Sequence, residues 1–194
     1  MSRRLMYPLA LIAGVELVAL GAAGLSIARR PARAVPAQGA PTAAPTAGPK
    51  TVNEFLSYTA ETKTVTLKLF AAFNSVQGGF NFNGGSQGTS TITVPLGWTV
   101  NADVVNKDAI PHSAIVLADT KPIPNAPDTP GIQRAYTAHL TDGLQPQNGE
   151  DTMNFTASPA GSYPIACGVP GHALSGMYIR FVVSPTATVP SYTN

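Results

Sequence analysis

The chain has a single cysteine, and it opens the segment Cys167-Gly-Val-Pro-Gly-His172-Ala-Leu-Ser-Gly-Met177. A thiolate, an imidazole and a thioether on one short loop are three donors of a mononuclear copper site, in which two His and one Cys form a plane and a weak Met lies on the axis. With three His and four Met among 194 residues, the chance of a His five places after the Cys and a Met five further is (3/194) × (4/194), roughly three in ten thousand. Singly, each residue reads as ordinary core: a lone buried Cys packs as a small hydrophobe, and a Met ten residues on fills a gap. The spacing is what argues for a metal, helped by Gly168, Pro170, Gly171 and Gly176, which suit a compact turn with close backbone approach.

The second imidazole must come from another element, because one loop cannot surround a trigonal metal. His112 stands in Asn106-Lys-Asp-Ala-Ile-Pro-His-Ser-Ala-Ile-Val-Leu, where a polar turn leads through Pro111 into an apolar, partly β-branched run that reads as a buried strand. His139, in Ala135-Tyr-Thr-Ala-His-Leu-Thr-Asp-Gly, lies in a weaker strand pattern with no donor nearby and is expected at the surface. The expected metal set is therefore His112, Cys167 and His172 with Met177 on the axis.

The elements that must hold these donors are strands. Residues 63–70 and 90–95 alternate polar and apolar, and 98–106, 113–117, 152–157, 161–167 and 177–183 are further short runs set apart by Gly, Pro and Asn. Many short strands with such punctuation indicate an all-β sandwich or barrel. Residues 53–59 read as a short helix or turn, and the proline-dense stretch 121–132 as an irregular surface excursion.

Ahead of this head, residues 5–28 form an apolar run broken by Glu16 and flanked by Arg3, Arg4, Arg29, Arg30 and Arg33. At 24 residues it is long enough to span the hydrocarbon layer, whereas the apolar stretch of a cleavable signal peptide is about 7–15 residues. The expectation is an N-terminal membrane anchor over 1–30, with a signal peptide as the alternative. Residues 31–50, rich in Pro, Ala and Thr and without hydrophobic period, read as an extended linker. The copper-binding domain is expected over 51–194.

Charge follows the same division. The whole chain carries +2, but from Thr51 onward six basic residues face nine acids, a net −3. No basic stripe with interleaved aromatics exists, which argues against nucleic-acid binding. With one Cys there is no intramolecular disulfide and no disulfide-linked oligomer is expected. Three His are too few for a multicopper oxidase, and no second Cys occurs between Gly168 and Met177 for a binuclear copper centre.

The strand Gly161-Ser-Tyr-Pro-Ile-Ala-Cys feeding Cys-x₄-His-x₄-Met, with Pro111-His112 upstream, resembles the cupredoxins; Phe80-Asn-Phe-Asn-Gly-Gly with the Cys167–Met177 loop is most similar to the sulfocyanins, with the rusticyanins second. The resemblance covers residues 52–184. It implies a cupredoxin-like Greek-key β-sandwich and one type 1 (blue) copper cycling between Cu(II) and Cu(I). It also implies an electron carrier rather than an enzyme, with redox protein partners in a respiratory chain: an electron donor and a terminal oxidase or cytochrome as acceptor. With the anchor, it implies a single-pass protein whose copper domain lies outside the cytoplasm, periplasmic or at the cell surface. Phe80–Gly84 is expected beside the metal. Ser113 stands where many cupredoxins place an Asn that ties the two ligand segments, and Ser can make fewer such bonds. Two rival readings remain at this point: a copper-delivery protein on the same fold, and a metal-free structural sandwich.

Overall fold

A computed structural model describes residues 47–194. The expected N-terminal span, Glu16 and nearly all of the expected linker lie outside the described residues, among which no helix is long and apolar enough to cross a membrane.

Among the described residues, ten strands form two sheets. In chain order they are β1 (Lys50–Thr51), β2 (Leu56–Thr59), β3 (Thr64–Ala71), β4 (Thr91–Pro95), β5 (Thr99–Asn106), β6 (Ile115–Val116), β7 (Glu150–Thr156), β8 (Gly161–Ala166), β9 (Tyr178–Ser184) and β10 (Ser191–Thr193). One sheet runs β1-β2-β3-β5-β7, the other β10-β4-β9-β8-β6. From β3 to β8 the chain changes sheet at every step, so neighbours are seldom consecutive; β3 and β5 pair in parallel, as do β4 and β9, and every other pair is antiparallel.

The period of two in the sequence becomes the two faces of each sheet. Val65, Leu67 and Leu69 of β3, Val100, Ala102 and Val104 of β5, and Met153 and Phe155 of β7 point inward. Ile92 and Val94 of β4, Ile165 of β8, and Ile179, Phe181 and Val183 of β9 meet them from the other sheet. Each of these side chains larger than alanine contributes about 1.5–3 kcal/mol by leaving water.

Two elements differ from expectation. Residues 53–59, expected as a short helix or turn, begin with the turn, where Asn53 Oδ1 accepts the amides of Phe55 and Leu56 at 2.9 Å, but continue as the strand β2. Leu56 enters the core, and Ser57, Tyr58 and Thr59 pair with β3. Lys50, read as the end of the linker, already pairs with Tyr58 in β1. The stretch 121–132 contains no strand, as expected.

Candidate metal centre

The donor loop is the connection from β8 to β9, and those strands are antiparallel neighbours, so its ends meet. The Cys167 amide donates to the Met177 carbonyl at 3.1 Å and the Met177 amide to the His172 carbonyl at 3.1 Å. Inside this neck the chain coils through Ser175 N–H to Gly171 and Gly176 N–H to Ala173, both 3.0 Å. Gly176 has φ +97°, and a Cβ there would lie 2.8 Å from Gln87 Cγ. Gly168 has no room either, since its Cβ would lie 2.9 Å from the Leu140 carbonyl.

β6 pairs with β8, with Ile115 opposite Ala166, and this brings the His112-Ser113 segment against Cys167. The Ser113 amide donates to Cys167 Sγ at 3.4 Å. Ser113 Oγ accepts the Gly168 amide at 2.9 Å and donates to the Leu140 carbonyl at 2.7 Å. The serine thus makes the tie between ligand segments with its single hydroxyl, using it once as acceptor and once as donor.

The three strong donors converge. Cys167 Sγ lies 3.9 Å from His112 Nδ1 and 3.5 Å from His172 Nδ1, and the two nitrogens are 3.1 Å apart. Bond lengths of about 2.0 Å to imidazole and 2.3 Å to thiolate in a trigonal plane place such nitrogens about 3.5 Å apart and each about 3.8 Å from the sulfur. The observed triangle fits one small cation at its centre, and a thiolate with two imidazoles suits copper. Cys167, His112 and Met177 are fully buried, and His172 is half-buried. Met177 closes the loop opposite Cys167 and belongs to the same apolar cluster. His139 is exposed and joins no group of donors.

Burial favours the neutral form of both imidazoles. Burial, opposed by Asp108, lowers the His112 pKa; burial and the neighbouring His112 push that of His172 down to about 4. Burial pushes the Cys167 thiol up, against the Ser113 and Val169 amides. A buried thiolate here needs a cation to balance it.

Phe80 sits where the resemblance implied. Its ring meets His172 edge-on at 5.0 Å between centroids and His112 at 6.3 Å. The motif around it is a scaffold: Asn81 Nδ2 donates to the carbonyls of Asn74 and Val76, and Asn83 bridges the Phe70 amide and the Lys68 carbonyl. Gln77 Nε2 then reaches the Ser175 carbonyl of the donor loop at 3.1 Å. Asp108, whose Oδ2 lies 3.0 Å from His112 Nε2, was not singled out from the sequence. A carboxylate four residues before a candidate ligand His was the available signal.

A two-sheet sandwich that closes a buried Cys, two His and a Met at one end defines a cupredoxin, a blue copper electron carrier. The family model described as "Sulfocyanin (SoxE) domain" matches residues 51–194. Sulfocyanin of Sulfolobus acidocaldarius is 32% identical over 142 residues, 69% of this chain and 70% of that one. Among solved structures, rusticyanin from Thiobacillus ferrooxidans is similar at 28% identity, covering 63% of this chain and 82% of that one with a TM-score of 0.44. Dithionite-reduced auracyanin from Roseiflexus castenholzii is similar at 23% identity, covering 62% and 97% with a TM-score of 0.44. The family match and the sulfocyanin relative together decide the assignment: the chain belongs to the sulfocyanin family.

Proposed function

We propose that this protein shuttles single electrons between respiratory-chain partners, a donor and a terminal oxidase or cytochrome, from a membrane tether with its copper domain outside the cytoplasm. His112, Cys167, His172 and Met177 are the residues that would hold the copper. The observation that carries the reading is the preformed triangle of Cys167 Sγ, His112 Nδ1 and His172 Nδ1, two of whose members are buried from solvent. Copper held there supplies a one-electron couple.

What the chain does is fix those donors so that they serve both oxidation states with little rearrangement. Ser113 and the Cys167–Met177 neck clamp the sulfur, Asp108 and Phe80 hold the imidazoles, and the apolar packing around Cys167 excludes water. Apolar burial disfavours the more highly charged oxidised site and so raises the potential. His172 is the donor nearest solvent; Pro170 and Leu174 flank it in the loop and Ile110 lies two residues before His112, and all three are exposed. This modest apolar surface suits a small, transient redox contact.

Burial also argues for a carrier over a copper-delivery protein, since a delivery site needs a ligand route open to its recipient. The apolar run over residues 5–28 supports the tether, and the carrier assignment of the family supports the redox role. Stopped-flow mixing of the reduced protein with membranes carrying terminal oxidase tests the proposal. Reoxidation with the copper retained is expected, and transfer of copper to the membranes without reoxidation would favour delivery. Protease accessibility of the domain in sealed cells tests its side of the membrane.

A further inference from the structure

Asp108 is held more firmly than a half-exposed loop carboxylate requires. Its amide donates to Asn106 Oδ1 at 2.9 Å, its carbonyl accepts the Gln147 amide at 2.7 Å, and its Oδ1 accepts the Ala109 amide at 2.6 Å. Asn106 is itself fully buried and donates through Nδ2 to the carbonyls of Ile110, Leu144 and Gln145. One side chain thus braces both walls of the loop that carries Asp108 and His112. From the other side Gly79, at φ +94°, lies over the carboxylate, and a Cβ there would sit 3.3 Å from Oδ2. The nearest cation in sequence, Lys107, is engaged elsewhere: its Nζ bonds Asn148 Oδ1 at 2.8 Å and lies over the Phe70 ring. Oδ2 faces His112 Nε2 at 3.0 Å, a carboxylate–imidazole hydrogen bond.

A carboxylate accepts only, so the shared proton belongs on His112 Nε2, and Nδ1 then carries the lone pair. That nitrogen is the one facing Cys167 and His172. We propose that Asp108 is a positioning residue for the copper couple, fixing His112 as the Nε2–H tautomer and, through its charge one imidazole away, favouring the oxidised centre. The inference rests on the blue-copper reading above. An anion hydrogen-bonded to a ligand imidazole makes the ring a stronger donor, and the oxidised site carries one more positive charge to be stabilised. The carboxylate therefore opposes the rise in potential that burial produces. At 29% side-chain exposure its field is partly screened.

The test compares the wild-type protein with Asp108→Asn, Asp108→Glu and Asp108→Ala, at a pH where carboxylates are ionised. Nitrogen-15 NMR of the metal-free wild type should find His112 protonated on Nε2; Asp108→Ala should populate the Nδ1–H form. Asparagine keeps an acceptor for the Nε2 proton and removes only the charge. In the copper-loaded protein, Asp108→Asn should raise the ratio of reduced to oxidised protein about tenfold at a fixed ambient potential, about 59 mV for one electron, while Asp108→Glu should restore most of the difference. Thermal melts confirm that each variant is folded, and the wild-type tautomer needs no variant. A wild-type ring protonated on Nδ1, or an Asp108→Asn ratio within about twofold of wild type, would overturn the inference. A wild-type copper complex lacking a thiolate-to-copper band would overturn the blue-copper reading instead, leaving the metal-free tautomer to decide the role of Asp108.

Discussion

Ser113 Oγ accepts a hydrogen bond from the Gly168 amide at 2.9 Å and donates one to the Leu140 carbonyl at 2.7 Å, so one hydroxyl joins three chain segments around the sulfur of Cys167. Replacing it with Ala leaves a buried amide and a carbonyl without partners, each costing about 1–3 kcal/mol. Ser113→Ala should lower stability by about 2–4 kcal/mol, read from denaturant unfolding of the metal-free protein. A loss below about 0.5 kcal/mol would show that the segments are held by packing alone.

Asn106 is a second buried polar hub, with three carbonyls on Nδ2 and the Asp108 amide on Oδ1. Asn106→Leu keeps the branched shape but not the bonds. Destabilisation of about 3 kcal/mol or more is expected, together with faster amide exchange at Asp108 and Gln147. Unchanged exchange at those two amides would contradict the bracing role.

Phe80 contributes to the site through its edge-on contact with His172. Such aromatic pairs are worth about 0.5–1.5 kcal/mol beyond burial, so Phe80→Leu should speed copper loss to an excess of chelator by roughly 2- to 12-fold, taking a factor of ten as about 1.4 kcal/mol. Identical off-rates in the two proteins would show that Phe80 does not help to hold the metal.

Much of the sandwich was legible in the sequence because its strands each have one buried face: residues 63–70, 90–95, 98–106 and 177–183 fall within a residue or two of β3, β4, β5 and β9. The site was legible for a different reason, since sulfur and imidazole at fixed spacing leave few chemistries open. What escaped were features whose cause is distant in the chain. β2 is a strand because Leu56–Thr59 finds β3, and no local alternation announces it. β10 is three residues long and exists by pairing with β4. Asp108 looks like any turn acid until the fold turns His112 Nε2 toward it, and the sufficiency of Ser113 depends on where Gly168 and Leu140 come to rest.

Acid should weaken the metal-free protein in a definite window. The folded pKa of His172, about 4, lies below the ordinary value of 6.5, so the unfolded chain binds the extra proton first. Stability therefore falls as pH drops from about 6.5 toward 4. The depressed Asp108 carboxyl adds stability that is lost only lower, as pH falls through its folded pKa. Urea midpoints of the metal-free protein should decline between pH 7 and 4.5, and less steeply in His172→Phe. Parallel profiles for the two proteins would contradict this assignment.

The blue copper site is tested by adding one equivalent of Cu(II) to the purified protein and to Cys167→Ser, and recording visible absorption and electron paramagnetic resonance. An intense blue copper–thiolate band with narrow hyperfine splitting, bleached reversibly by reductant and missing from Cys167→Ser, is the expected result. A colourless complex, or the same spectrum from both proteins, would contradict a blue copper centre built on Cys167.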